Sequence, residues 1–267
     1  KDLPMVSVVI AARNEDSNLP DLIYDLVNQE YPLDKLEVIF VNDRSTDLTN
    51  RILNEASDNY SFIKQIVIEE LSAEMTPKKY ALTKGIESAN GEIIISTDAD
   101  CRVGKLWVSS MTSDVIKSNG ISIGFSKISD KSFFDQYQKI DFLGIISANA
   151  GAGGWKQFWS GTGQNLAYFK SDFILIDGFE PVKNKISGDD MYLVQAISKV
   201  KSGSINIDPN SFVSTKPMKN IKEFINQRIR WSSNAKLNVK KNPYFFSFLA
   251  SSFSFNLILL FYFLFSE

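Results

Sequence analysis

Histidine is missing altogether from the 267 residues, and cysteine occurs once, at Cys101. Without imidazole there is no Ser-His-Asp or Cys-His catalytic unit, no histidine metal site and no imidazole general base. One cysteine closes no disulfide within the chain, which fits a reducing compartment. With no histidine beside it, that cysteine builds no structural zinc site, so a bound metal would be a hard cation on oxygen ligands. No Gly-x-Gly-x-x-Gly and no Gly-x-x-x-x-Gly-Lys-Ser/Thr follows a strand-like run, so dinucleotide and P-loop chemistry lose their main support. Charge of one sign is not in excess either: 29 basic against 31 acidic residues, a net charge of -2, argues against a general nucleic-acid binder. No charged n-region with an apolar run behind it opens the chain, so no signal peptide is expected. Acid and base chemistry is thereby left to carboxylates, Lys, Tyr and the lone Cys.

What is present is a globular composition, 44% hydrophobic and 22% charged, with ample length for a core. The first hundred residues alternate short β-branched runs with longer helical stretches, the pattern of βαβ units in a parallel sheet. Strands are predicted at 6–12, 37–42, 63–68 and 92–97, and helices near 19–29, 46–57 and 77–89, the second with Ser45 as its cap and Asp47 in its first turn. Open α/β sheets bind ligands beyond the carboxyl ends of their strands. Those ends read Ala11-Ala12-Arg13-Asn14-Glu15, Asp43-Arg44-Ser45-Thr46-Asp47 and Asp98-Ala99-Asp100, which points to an acidic, metal-dependent nucleotide site.

Asp98 and Asp100 flank one alanine after Ile93-Ile94-Ile95, and an extended backbone puts both carboxylates on one side. Magnesium or manganese commonly takes one or two carboxylates plus ligand phosphates. Taken alone, Asp-x-Asp is equally a solvated turn. Asp189 and Asp190 are adjacent carboxylates that suit either a base with a raised pKa or the acidic first turn of a helix. Ser160 to Leu166 follows Trp155 and Trp159, so glycines allow close backbone approach while the indoles offer flat faces for sugar rings or fill the core.

In order along 6–231, Val6 to Glu15, Val41 to Asp47, Thr97 to Asp100, Gly188-Asp189-Asp190 and Gln227-Arg228-Ile229-Arg230-Trp231 resemble the family 2 glycosyltransferases. That family includes polysaccharide synthases and enzymes that add a single sugar to a lipid. The resemblance implies a GT-A fold, a Rossmann-like α/β nucleotide-sugar-binding domain with a mixed, mainly parallel sheet. It implies Mg2+ or Mn2+ as cofactor, a nucleotide-sugar donor (a UDP-sugar), a lipid or glycan acceptor, inversion at the anomeric carbon, and no nucleic acid. By the same resemblance Asp43 contacts the nucleotide base or ribose, and Glu15 and Lys78 belong to the donor site. Asp98 touches ribose or metal, Asp100 is the principal metal ligand, and Asp190 is the base. Asp189 stands where the family more often has Glu, on the acceptor side. Arg230 meets the diphosphate, while Gln227, Trp231 and Trp159 line the acceptor channel.

Eight basic residues against the single acid Glu223 lie between Lys216 and Lys241, and residues 242 to 266 carry no charge. We read 1–231 as the catalytic domain, 232–243 as a basic juxtamembrane segment and 244–266 as a transmembrane helix. The basic flank then places the catalytic domain on the cytoplasmic side of the membrane. Ile221, Phe224, Ile225 and Ile229 form the apolar stripe of a basic helix that lies at the bilayer surface. Competing readings are a processive polysaccharide synthase, a noncatalytic sugar-nucleotide-binding module, and a nucleotidyltransferase, which would need a Gly-rich basic triphosphate loop that the sequence lacks.

Overall fold

Val, Ile and Phe dominate the runs that form the central strands, and their alternation sends successive side chains into two separate cores. The computed structural model describes residues 3–129, 132–233 and 243–265. It divides into two compact units, Lys1–Met218 and Lys219–Glu267. In the first unit the chain runs β1 (Val6–Ala12), α1 (Leu19–Val27), β2 (Leu36–Asp43), α2 (Thr49–Asn59), β3 (Ile63–Ile68), α3 (Pro77–Ser88) and β4 (Ile93–Ser96). It continues through β5 (Arg102–Val103), α4 (Trp107–Ser118), β6 (Ile121–Gly124), β7 (Ser126–Ile128), α5 (Phe133–Gly154), β8 (Leu166–Phe169) and α6 (Lys170–Leu175). It closes with α7 (Asp189–Val200), β9 (Gly203–Asn206) and β10 (Val213–Thr215).

The main sheet has the order β3-β2-β1-β4-β8-β6-β9. β3, β2, β1 and β4 are parallel, with Val8 opposite both Val38 and Ile95. β8 runs antiparallel between β4 and β6, and β9 is parallel to β6. Val6, Val8 and Ile10 pack with Leu22, Leu26 and Trp107 on one face, while Val9, Ile39, Val41 and Ile94 pack with Leu82 and Ile86 on the other. α3 lies close on that second face because Gly85 has no side chain: a Cβ there would stand 2.5 Å from Val9 Cγ1.

From β1 the chain moves outward to β2 and β3 and then returns to β4 on the far side of β1, so the crevice beyond β1 and β4 is the switch point of this sheet. A second sheet, β5-β10-β7, starts two residues after Asp100. It is tied to α1 by Arg102, whose Nε and Nη2 donate to the two oxygens of Asp25 at 2.6 and 2.7 Å.

The second unit contains α8 (Ile221–Ser233) and α9 (Pro243–Phe265). On α8 the Arg228 guanidinium lies over the Phe224 and Trp231 rings, 4.4 and 4.2 Å from their centroids. Ile221, Ile225 and Ile229 are exposed along one side of that helix. Lys236, Lys240, Lys241 and most of the expected basic segment 232–243 lie outside the described residues, as do Ser266 and Glu267. Among the described residues no helix is long and apolar enough to cross a membrane. The expected transmembrane span over 244–266 is corrected accordingly. A helix forms there, but Ser247, Ser251, Ser252 and Ser254 interrupt its apolar run, and Ser247 and Ser251 turn their hydroxyls back onto the carbonyls of Pro243 and Phe248.

Candidate active site

The loops that leave β1 and β2 are laced together at the switch point. Asn14, in the left-handed region at φ 56°, donates its N–H to Ser45 Oγ at 3.1 Å and accepts from the Thr46 N–H at 2.8 Å. The Glu15 N–H reaches Thr49 Oγ1 at 2.8 Å, and Asp47 accepts from the amides of Asp16 and Thr49 at 3.2 and 3.0 Å. Ser45 therefore does not cap α2. That helix begins at Thr49, later than the sequence predicts, because Ser45 and Asp47 are used between the loops. Asp43 is buried at the last position of β2, and Arg44, at φ 54°, folds back so that Nε donates to Asp43 Oδ1 at 2.8 Å.

Asp98 and Asp100 turn away from β4 at the same edge. Lys78, in the first turn of α3, donates to Asp98 Oδ1 at 2.8 Å. Burial, then the neighbouring Asp98, raises the Asp100 carboxyl above its ordinary range. Glu15 is raised as well, by burial and by the fields of Asp100 and Asp98, against the lowering contact from Asn18. Asn18 Nδ2 donates to Glu15 Oε2 at 2.6 Å. Two of the carboxylates at this edge, Glu15 and Asp100, are thus raised by burial and by negative charge close by, which a bound cation would offset. Among the described residues no group of three or more His, Cys, Asp or Glu is arranged to hold a metal by itself. The all-oxygen pair Asp98 and Asp100 fits Mg2+ or Mn2+ whose remaining positions go to phosphate and water.

Asp189 and Asp190 open α7 after Gly188, at φ 87°. Asp190 Oδ1 accepts the Met191 N–H at 2.7 Å and Oδ2 accepts the Gly163 N–H at 3.2 Å, so the glycine loop fixes the carboxylate plane. Burial, then the adjacent Asp189 charge, pushes the Asp190 carboxyl up to about 6. This pair and Asp98 line one pocket, together with Val9, Lys78, Thr97, Gly163 and Tyr168 among others. Lys78 stands at its mouth with 48% of its side chain exposed. Burial works against its charge, but Asp98, Asp189 and Asp190 outweigh it and hold the ammonium firmly protonated. Tyr168 is buried in the same wall, where desolvation and Asp189 push its phenol well up.

The structure therefore brings together Glu15, Asp98, Asp100, Lys78, Asp189 and Asp190, with Asp43 at the neighbouring strand end. Trp159 is buried at 9% exposure and its carbonyl accepts from Gln195 Nε2, whereas Trp155 is 85% exposed. The loop between Trp159 and β8 is held by Asn165, which accepts from Trp107 Nε1 at 2.9 Å and donates to the carbonyls of Phe125 and Ser211. Gln227, Arg230 and Trp231 belong to the second unit, where they lie on α8. Lys79, the neighbour of Lys78, is buried at 1% exposure. Its spacing from Leu82 and Ile86 places it on the core face of α3, and a charge on an apolar stripe was the available signal.

The family model described as Glycosyl transferase family 2 matches residues 7–187. A probable glycosyltransferase YdaM of Bacillus subtilis is 32% identical over 186 residues, 67% of this chain and 44% of that protein. A beta-monoglucosyldiacylglycerol synthase of Nostoc is 38% identical over 101 residues, 38% of this chain and 21% of that protein. The chain thus spans less than half the length of either relative. The mannosyltransferase PcManGT of Pyrobaculum calidifontis, solved with GDP-Man and Mn2+, superposes with a TM-score of 0.66 at 19% identity, covering 87% of this chain and 62% of its own. That likeness carries the GT-A fold.

Proposed function

The chain belongs to glycosyltransferase family 2, and from that membership we propose inverting transfer of a sugar from a nucleotide-sugar donor to a lipid or glycan hydroxyl, with a divalent metal. The observation that carries this reading is one pocket whose lining includes Lys78, bound to Asp98, and Asp190, its carboxyl raised to about 6. A base poised near neutral pH and a cation facing a metal-binding carboxylate are what the two ends of an in-line displacement require.

In the proposed reaction Asp190 takes the proton of the acceptor hydroxyl as its oxygen attacks the anomeric carbon. The bond to the diphosphate breaks on the opposite face, and the electron pair leaves with the nucleoside diphosphate. Lys78 meets the developing negative charge, and Asp43 holds the base or ribose. Asp98 and Asp100 would hold the Mg2+ or Mn2+, which when bound neutralises the departing diphosphate. The gathered carboxylates of Glu15, Asp98 and Asp100 support that assignment. Arg230 suits bidentate phosphate contact, and Gln227, Trp231 and Trp159 are proposed on the acceptor side.

For the acceptor we favour a lipid. The Nostoc relative is named for a diacylglycerol product, and α8 presents exposed Ile221, Ile225 and Ile229 among Lys222, Arg228 and Arg230. Such a basic, apolar-striped helix suits an anionic bilayer surface, so we place the reaction at the cytoplasmic membrane face. The Gln-x-x-Arg-Trp stretch at 227–231 also favours a second reading, processive synthesis of a polysaccharide.

Nucleoside-diphosphate release from a panel of UDP- and GDP-sugars, with membrane lipid extract as acceptor, tests this reading. Release from one donor that needs Mg2+ or Mn2+, stops with chelator and is lost in Asp100→Asn and Asp190→Asn is the expected result. Donor binding with no turnover under any of these conditions would replace the enzyme by a sugar-nucleotide-binding module.

A further inference from the structure

Adjacent lysines in the first turn of α3 go opposite ways. Lys78 reaches Asp98 in the cleft, while Lys79 turns inward onto the face that carries Leu82 and Ile86 and is almost wholly buried. Burying an ammonium is costly unless it is well bonded, and methionine would fill the same volume without that cost. The Lys79 Nζ donates to the Lys185 carbonyl and, at 3.5 Å, to Thr76 Oγ1. Both acceptors are uncharged, and the closer one, the Lys185 carbonyl, is the backbone of a loop.

That loop leads to the carboxylate pair. Lys185 lies three residues before Gly188, whose φ of 87° starts the turn into Asp189 and Asp190. The same segment is tied to the entrance of α3 by three further contacts: the Thr76 N–H donates to the Lys183 carbonyl at 3.0 Å, the Thr76 hydroxyl donates to the Lys185 carbonyl at 3.4 Å, and Lys183 Nζ pairs with Glu74 at 3.0 Å. Burial pulls the Lys79 pKa down, and Asp189 and Asp190 are near enough to pull it back part of the way.

We propose that Lys79 is a positioning residue for the reaction: it clamps segment 183–188 to α3 and thereby holds Asp190 at the distance from which it takes the acceptor proton. The inference rests on the reading of Asp190 as the base. α3 then serves both ends of the displacement, with Lys78 facing the leaving group and Lys79 behind the base. Misplacing a reacting group by about 1 Å can cost on the order of 100-fold in rate.

The test compares Lys79→Met, Lys79→Arg, Thr76→Val and Asp190→Asn by nucleoside-diphosphate release at saturating acceptor, with melting temperature and amide hydrogen exchange alongside. Lys79→Met should lower kcat by about 10- to 100-fold with the donor KM held within about twofold. Exchange should rise across 183–191, and Lys79→Arg should recover part of kcat because it restores a buried donor to the carbonyl. Thr76→Val, which removes the hydroxyl's two weaker contacts, with Lys79 Nζ and with the Lys185 carbonyl, should cost a few-fold, and it carries the test if Lys79→Met does not fold. Native kcat in Lys79→Met or, failing that variant, in Thr76→Val overturns the inference. So does a loss in Lys79→Met that Lys79→Arg does not relieve and that only follows the melting temperature. Asp190→Asn separates the two failures: full activity there removes the base itself, whereas an inactive Asp190→Asn beside a native Lys79→Met sinks the positioning role alone.

Discussion

Changing the charge beside Asp190 should move the pH at which the protein loses activity, in a direction fixed by the structure. Asp190 is held at about 6 instead of 3.8, by burial first and by Asp189 second, with the Met191 amide, Lys78 and the Gly163 amide acting in the opposite sense. A base must be ionised to accept a proton, so kcat is full above that value and falls as pH drops through it. With a midpoint near 6, about nine-tenths of the base is ionised at pH 7 and just under one-tenth at pH 5, a loss of roughly tenfold over those two units.

Asp189→Asn removes the neighbouring negative charge but leaves the burial. Its midpoint should therefore move down while staying above the ordinary carboxylate value, and the variant should keep a larger share of its plateau rate at pH 5 than the native protein. The assay is kcat for nucleoside-diphosphate release between pH 4.5 and 8 with donor and metal saturating at each pH, which keeps the titrations of Glu15 and Asp100 out of the profile. A native midpoint near 4, or a midpoint that stays still or rises in Asp189→Asn, would refute the reasoning.

Lys78→Met should raise the Kd for nucleoside diphosphate by roughly tenfold, the worth of one charge-assisted contact of about 1.4 kcal/mol, read by calorimetry. The fold makes a separate prediction at Gly85. A Cβ at that position would meet Val9 Cγ1 at 2.5 Å and Val41 Cγ2 at 3.0 Å, so Gly85→Ala should cost about 1–3 kcal/mol in urea denaturation.

The first βαβ units were readable from the chain because each strand is a short β-branched run between polar ends. Predicted strands 6–12 and 63–68 match the observed bounds, and 37–42 and 92–97 differ by one residue at each end. α1 and α3 begin where expected, whereas α2 starts late because loop-to-loop hydrogen bonds claim Ser45 and Asp47. Local periodicity says nothing of the antiparallel β8 between β4 and β6, or of the second sheet of two- and three-residue strands. Those pairings join segments more than 40 residues apart.

The acidic residues gathered at the candidate site were legible one by one, because acidic strand ends and a carboxylate pair are visible in one dimension. That Asp190 faces the same pocket as Asp98 is a property of the tertiary fold. Trp159 shows the limit of composition: that an indole beside a glycine loop is only 9% exposed is a property of the fold and not of the sequence. Residues 244–266 show another. A charge-free aromatic run makes a helix, but helix formation does not by itself make a membrane span.

The central claim is single-displacement transfer with Asp190 as base, and the anomeric configuration of the first product tests it most directly. With the active donor identified and its sugar α-linked to the diphosphate, proton NMR of the glycosylated product, recorded early in the reaction, should show a β linkage only. An α-linked product, or β product formed undiminished by Asp190→Asn, would contradict it.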